Sequence, residues 1–360
     1  MERRSFVSGA GIAGVLAAGV APAVHAQAAI RWRCTSAFPK ALDTIYGGAE
    51  VMAKKVRELS GGKFEISVHP GGELMPMPGI VDGLQSGTVE MGHTVPYYYF
   101  GKNEAFAIGA AIPFGMNARG TTAWMMHGGG RQLVNEFYGR YNIISFAGGN
   151  TGAQMGGWFR KEIKSPADIK GLKFRIGGFA GRVIERMGGV PQNIPGGEIY
   201  QALEKGTIDA AEWVGPYDDL KLGFVKVAPF YYYPGWWEGG PEVDFFVNNK
   251  AYDSLSAENK AILEAATTYA HVDMLAKYDA YNPGALKQLV AQKAKVLAFP
   301  QSVLEASFKA SMEVYAELET KNPDWKKIYS SYKAFQKDQI LWFRFAEARY
   351  DNFMTTAKLP

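Results

Sequence analysis

The stretch PADIKGLKFRIGGFAGRVIERMGGVPQNIPGGEIYQALEKGTIDAAEW, from Pro166 to Trp213, constrains the fold more than any other part of the chain. Apolar alternation bounded by glycines predicts a short strand over 172–176. A helix over 179–187 follows, because Val183, Ile184 and Met187 fall on one face. A second strand is expected over 190–194, and a helix over 198–204 that Gly206 stops. A third strand over 208–213 ends in Glu212-Trp213. Strand, helix, strand, helix, strand predicts an α/β lobe. It sets two residues of opposite sign, Arg175 and Glu212, near the carboxyl ends of strands, where open α/β sheets bind ligands.

The same logic opens the chain. Strands are expected over 29–35, 64–69 and 89–94, with helices over 43–59 and 80–85. Tyr97, Tyr98, Tyr99 and Phe100 follow directly and are candidates for a pocket wall, with Tyr99 as the expected ligand-facing hydroxyl. A helix over 121–137 and a strand over 141–148 lead to the polar loop Gly149-Asn150-Thr151-Gly152-Ala153-Gln154, after which strand character resumes at 155–159. The aromatic and proline-rich segment 229–242 reads as a rigid loop with flat apolar surface. A strand over 243–248 then returns to the first lobe. Ser256 caps a helix over 257–281 that stops before Pro283. Further helices are expected over 284–295 and 301–320, with a strand at 296–299 between them. From 325 to 353 neither proline nor glycine interrupts. One helix there would be about 43 Å long, more than one small lobe can cover.

Residues 1–26 read as an export leader: an Arg3-Arg4-Ser5-Phe6 start of twin-arginine type, an apolar Gly/Ala-rich core, and Val24-His25-Ala26 as the cleavage site. Cys34 is the single cysteine, so no intramolecular disulfide can form. Its alternation with Ile30 and Trp32 predicts a buried position rather than a nucleophile. The formal charge is +4, and the leader carries one net positive charge of that. No basic run of the kind a nucleic-acid backbone demands is present. The five histidines, His25, His69, His93, His127 and His271, make no ligand-spaced pair. There is no HExxH or GxSxG, and outside the leader no GxGxxG. No recognisable catalytic set of histidine with serine or cysteine stands in the sequence.

Ser165-Pro166, Asp168, Lys170-Gly171-Leu172-Lys173, Arg175, Gly189, Pro191, Glu198, Tyr200, Ala202-Leu203, Gly206, Asp209 and Glu212 stand in one register. In that register the chain resembles the DctP-type periplasmic solute-binding proteins of TRAP (tripartite, ATP-independent) transporters. The stretch GELMPMPGIVDGLQSGTVEMG near the start matches as well. Trp213 after Glu212 resembles the branch that binds 2-oxo acids such as pyruvate, with a lactate binder close by.

The resemblance implies a periplasmic binding protein-like fold of two α/β lobes around a cleft. Lobe 1 would be 27–153 with 243–281, lobe 2 would be 154–242 with 282–320, and 321–360 would be a long C-terminal helix that pairs two subunits. It implies a periplasmic protein that serves the TRAP permease membrane subunits. Arg175 is the expected clamp on the ligand carboxylate, since its planar guanidinium donates two parallel hydrogen bonds. Glu212 in the same cleft either neutralises Arg175 or shares a cation with the ligand. The resemblance implies the latter, with Gln154, Glu212 and the Trp213 carbonyl holding a sodium ion. A formal tally agrees. Arg175 and Na⁺ balance Glu212 and a monocarboxylate, whereas Ca²⁺ leaves one positive charge, and buried charge is costly unless compensated. Calcium, as in the lactate binder, is the alternative. Asn150, Gln154, Tyr99 and Trp236 complete the expected ligand shell, with Trp236 or Trp237 closing over the alkyl end. Glu198 is expected at a helix start or between lobes, and Asp209 in the scaffold. The ligand expected is pyruvate or 2-oxobutyrate; the alternatives are lactate with calcium, or a larger or branched oxo acid. Behind this binding-protein reading stand a ligand sensor with the same fold and pocket and a periplasmic enzyme acting on oxo acids.

Overall fold

Alternation in IRWRCTS turns Trp32 and Cys34 inward from β1 (Ile30–Ser36). The computed structural model describes residues 29–358, and the leader read over 1–26 lies outside them. Helix α1 (Gly47–Leu59) buries Ala49, Met52 and Val56 on one stripe, and Gly61 and Gly62 in left-handed conformations end it. Strand β2 (Phe64–His69), helix α2 (Ile80–Gln85) and strand β3 (Met91–Thr94) follow.

The helix expected over 121–137 is two, α3 (Ala118–His127) and α4 (Gly130–Gly139). Gly129 between them takes φ +82°, and a Cβ on Gly130 would stand 2.5 Å from the Trp124 ring. The break therefore lets the chain turn against an indole that a side chain would displace. Then come β4 (Ile143–Asn150), β5 (Gly157–Phe159), β6 (Lys173–Arg175), α5 (Gly178–Arg186), β7 (Val190–Gln192), α6 (Ile199–Glu204), β8 (Ala210–Ala211) and α7 (Pro216–Leu222).

The segment 229–242 is not wholly a loop. Its aromatic run forms β9 (Phe230–Tyr233), paired on both sides, as β-prone aromatic residues favour. Strand β10 (Glu242–Asn248) and helix α8 (Asn249–Asp253) precede α9 (Ala257–Ala291), capped by the Ser256 side chain at the Asn259 N–H. Helix α9 does not stop before Pro283. Pro283 is exposed, so water can satisfy the carbonyl it leaves free, while buried Tyr278, Ala285 and Leu289 hold the helix on either side. The 281/282 lobe boundary thus falls inside a continuous helix.

Strand β11 (Lys295–Ala298) and α10 (Gln301–Lys321) lead to the C-terminal region. The expected single helix over 325–353 is two, α11 (Pro323–Phe345) and α12 (Glu347–Thr356), broken at Ala346. Trp325, Ile328, Tyr329 and Tyr332 pack on the body, but no residue of α12 is buried. Beyond Tyr332 the contacts with the body thin to half-buried Phe335, Gln336 donating to Phe114 O (2.8 Å), and Arg119 against Phe343 and Glu347.

The strands form two sheets, a five-stranded one in the order β2-β1-β3-β10-β4 and a six-stranded one in the order β11-β9-β5-β8-β6-β7. In the first, β10 runs antiparallel to both neighbours. The chain passes between sheets from β4 to β5 and again from β9 to β10, and these crossings bond to one another. Thr151 N–H donates to Pro241 O (3.3 Å), Gln154 N–H to Glu238 O (3.1 Å) and Gly235 N–H to Gln154 O (2.9 Å). A Cβ on Gly235 would stand 2.7 Å from Met155 O, so only glycine permits this approach. The cleft between the sheets is where the sequence set Arg175 and Glu212.

Asp219 in α7 ties the second sheet together. Its Oδ2 accepts from Trp158 Nε1 (3.0 Å) and from Tyr231 OH (2.7 Å), donors on β5 and β9. Burial pushes its carboxyl up to about 7 against an ordinary 3.8. The folded state therefore binds this proton more tightly than the unfolded one. The stability it contributes is full below about 3.8 and is lost as pH rises through about 7. Denaturant titrations should show Asp219→Ala less stable by about 2–4 kcal/mol, from two stranded buried donors. The wild type should also lose stability between pH 4 and 7 on a slope that Asp219→Asn makes shallower, with Asp218 beside it, pushed up to about 6 by burial, supplying part of what remains.

Candidate functional site

Strands β6 and β8 are parallel neighbours with Arg175 opposite Ala211, one residue before Glu212. The ends of two adjacent strands thus bring the guanidinium and the carboxylate together. Both side chains are almost fully buried, at 2% and 1% exposure. Arg175 Nε donates to Ile194 O (3.0 Å), and Nη1 donates to Glu212 O (2.7 Å) and to Glu212 Oε1. Gly177 N–H donates to the same Oε1 (3.1 Å). The Trp213 ring lies beneath the guanidinium, 5.1 Å from its carbon. Burial works against the Arg175 charge, but Glu212 together with Tyr98, Tyr97 and Glu238 outweighs it and holds the guanidinium above its ordinary value. Burial pushes the Glu212 carboxyl up, and Arg175 and the Gly177 N–H offset part of that.

A small cavity of about 10 Å³ opens beside Arg175, room for about one water centre. Its polar lining is Arg175, Gln154, Thr151, Tyr97 and Tyr98 with the Trp213 ring; its aliphatic lining is Ile45, Val95, Val214 and Pro241. Tyr97 reaches it across the cleft because Gly178, at φ +54°, opens α5: a Cβ there would stand 2.7 Å from Tyr97 Cβ. Gln154 Nε2 donates to Thr151 Oγ1 (3.1 Å), which leaves Gln154 Oε1 buried with no hydrogen-bond partner. Glu212 Oε2 is likewise buried and unpartnered. Among the described residues no donor bonds the Trp213 carbonyl. Unpaired buried oxygens are costly, and an amide oxygen, a carboxylate oxygen and a carbonyl form the hard-donor set that sodium or calcium takes. The residues present therefore fit a cation.

Three members of the expected shell lie elsewhere. Tyr99 faces away: its hydroxyl bonds Thr94 Oγ1 (2.8 Å) and donates to Met77 O (3.4 Å). The 96–99 turn is a 3₁₀ turn, and one residue along such a turn changes the facing direction by about a third of a circle. Asn150 spends its amide on the crossing, with Nδ2 donating to Gly240 O (3.0 Å) and Oδ1 accepting from Gly152 N–H (2.9 Å). Trp236 stacks on Phe114 at 5.3 Å, and Trp237 packs on Phe174 and Phe299. Neither tryptophan lines the cavity. Glu198 starts α6, exposed and without a side-chain capping bond, and Asp209 accepts from Lys173 N–H (3.1 Å) as scaffold.

Sequence reasoning missed Glu238, Thr151 and the aliphatic lining. Glu238 is buried with Oε2 unpartnered. Burial first, and then the Glu212 charge, push its carboxyl well up. An acid inside the apolar run GWWEGG was the available signal. The aliphatic residues come from four separate segments and share no motif.

The family model for bacterial extracellular solute-binding protein, family 7, matches residues 35–322. A monocarboxylate 2-oxoacid-binding periplasmic protein of Nostoc sp. is 47% identical over 329 residues, covering 91% of this chain and 90% of that one. A TRAP transporter solute-binding protein of Bordetella bronchiseptica, a mixed-occupancy dimer with copurified calcium and picolinate, is 51% identical with a TM-score of 0.90, covering 91% of this chain and 98% of that one. A TRAP periplasmic solute-binding protein of Pseudoalteromonas atlantica, with bound sodium and pyruvate, is 42% identical with a TM-score of 0.87, covering 92% of this chain and 100% of that one. No helix among the described residues is long and apolar enough to cross a membrane. The chain therefore belongs to the bacterial extracellular solute-binding proteins of family 7, the extracytoplasmic binding component of TRAP transporters.

Proposed function

We propose that this protein captures a short 2-oxo monocarboxylate, pyruvate or 2-oxobutyrate, in the periplasm and delivers it unchanged to the membrane subunits of a TRAP permease. The observation that carries the reading is the pair of buried, unpartnered oxygens, Gln154 Oε1 and Glu212 Oε2, at a site that also holds a buried guanidinium. Arg175 orients the carboxylate. Gln154, Glu212 and the Trp213 carbonyl would hold a cation, which would supply positive charge beside the oxygens of the oxo acid. Tyr97 and Tyr98 cover the site from the opposite lobe and exclude water. With Glu238 counted neutral, the charges of Arg175, Glu212, sodium and a monocarboxylate sum to zero, which favours sodium over calcium.

The lobes of this reading are 27–153 with 243–281 and 154–242 with 282–320. They close by bending at the two bonded crossings. Picolinate in the Bordetella relative favours a second reading, an aromatic acid whose ring nitrogen stands where the 2-oxo oxygen would. Both ligands present a carboxylate with a second donor on the adjacent carbon, so both suit the same cation and clamp.

Calorimetric titration of the mature protein in sodium buffer, with NMR of the recovered ligand, tests this. Tight binding of pyruvate or 2-oxobutyrate with the ligand recovered intact is expected. Arg175→Ala should weaken binding by about a hundredfold or more, the scale of an unpaired buried charge. Glu212→Gln should abolish the dependence on added cation. Preference for picolinate over both oxo acids would select the second reading, and no binding of any of these acids would sink both.

We also infer a homodimer through the C-terminal helices. Trp342, Phe345, Tyr350 and Phe353 expose 58–73% of their surface on α11 and α12, a concentration of exposed aromatic side chains that supports an interface there. Light scattering should give a dimer at micromolar concentration, and Trp342→Glu with Phe345→Glu should give a folded monomer.

A further inference from the structure

The cavity lining divides by chemistry. Arg175, Gln154 and Thr151 supply the polar side, while Ile45, Val95, Val214 and Pro241 supply only aliphatic surface. Those four come from different places. Ile45 precedes α1, Val95 follows β3, Val214 follows β8 in the other sheet, and Pro241 ends the second crossing. Three of the four are β-branched and stiff at χ1, and the fourth is a ring. Val214 is further pinned through its carbonyl, which accepts from Met155 N–H (3.1 Å). A stiff aliphatic surface discriminates by length, since it neither moves aside for an extra methylene nor bonds a polar tail.

The same two sides of the cleft are tied together outside the cavity. Asp43, two residues before Ile45, takes hydrogen bonds from Lys221 Nζ and from Tyr217 OH (3.2 Å), both on α7, which begins two residues after Val214. Lys277 on α9 adds an ion pair to Asp43 Oδ2 (2.9 Å) and a bond to Asp43 O (2.6 Å). Burial works against the Asp43 charge, but Lys221 and Lys277 outweigh it and hold the carboxyl down at about 2. The clasp is therefore charged across the neutral range.

We propose that Ile45, Val95, Val214 and Pro241 form the wall that reads the acyl end of the ligand and limits it to short chains, and that the Asp43 clasp sets how closely the Ile45 and Val214 sides shut. This rests on the oxo acid reading above and names what selects among such acids. Each methylene beyond the fitting length should cost about tenfold or more in affinity.

The experiment is a calorimetric series with pyruvate, 2-oxobutyrate, 2-oxovalerate, 2-oxoisovalerate and picolinate on the full mature protein, with folding checked by circular dichroism. The wild type should lose at least tenfold between its best acid and the five-carbon acids. Ile45→Ala and Val214→Ala should each recover at least tenfold for 2-oxovalerate relative to pyruvate. Ile45→Val, which conserves the fold most closely, should shift the ratio in the same direction. Asp43→Asn should weaken every acid about three- to tenfold and leave the ratios unchanged. Wall variants that weaken all acids equally, or a wild type that binds the five-carbon acids and picolinate as tightly as pyruvate, would overturn the wall while leaving the oxo acid reading intact. A change of length preference in Asp43→Asn as large as in Ile45→Ala would overturn the separate role of the clasp. A folded wild type that binds none of the acids would overturn the wall and the underlying reading together.

Discussion

The buried pair of Arg175 and Glu212 sets the terms for the rest of the structure. Taking two ions out of water costs several kcal/mol each, and mutual attraction offsets this only when further hydrogen bonds satisfy them. The neighbours of the pair meet that demand in part. Ile194 O and Glu212 O receive the guanidinium, the Gly177 N–H serves the carboxylate, and the Trp213 face covers the charge. What they leave unserved, Glu212 Oε2 and Gln154 Oε1, is where the protein has binding capacity to offer.

Keeping that pair dry takes both lobes. Arg175 and Glu212 stand at adjacent strand ends of one sheet, while the tyrosines that cover them follow β3 of the other. Two of the three crossings that join the sheets, β4 to β5 and β9 to β10, are bonded to each other near Gln154, so the residue whose Oε1 is left unpartnered also sits at the crossing. Asn150 and Gly235 belong to the same arrangement, one through its amide and the other through its missing side chain. On the outer side, Asp43, backed by Lys277 of its own lobe, ties the first lobe to α7. The position of the site and its closure are therefore one structural problem.

Periodicity was legible wherever an element obeys a local rule. The helices at 179–187 and 301–320, the buried Cys34 strand and the Ser256 cap follow from side-chain spacing and capping chemistry that neighbours within a few residues decide. Arg175 and Glu212 were legible because both lie on consecutive units of one α/β lobe, so a strand end and a register suffice to bring them together. The misreadings share a different cause. Pro283 ends a helix by the local rule, yet here it is exposed and the helix is packed on both sides of it. Tyr99, Asn150 and Trp236 are of the right type in the right segment, but each finds a partner, in Thr94, Gly240 and Phe114, that only the folded chain supplies.

By itself the sequence determined the α/β class and the meeting of Arg175 with Glu212 at neighbouring strand ends, because those depend on strand order, residue chemistry and short-range order. Only the tertiary structure decided that Tyr97 and Tyr98 rather than Tyr99 line the cavity beside Arg175, that Glu238 is buried, and that Ile45, Val95, Val214 and Pro241 come together in the same lining. Those residues are far apart along the chain and carry no common pattern. What joins them is the closure of two lobes over one buried charge pair, and closure is a property of packing that no local window of sequence contains.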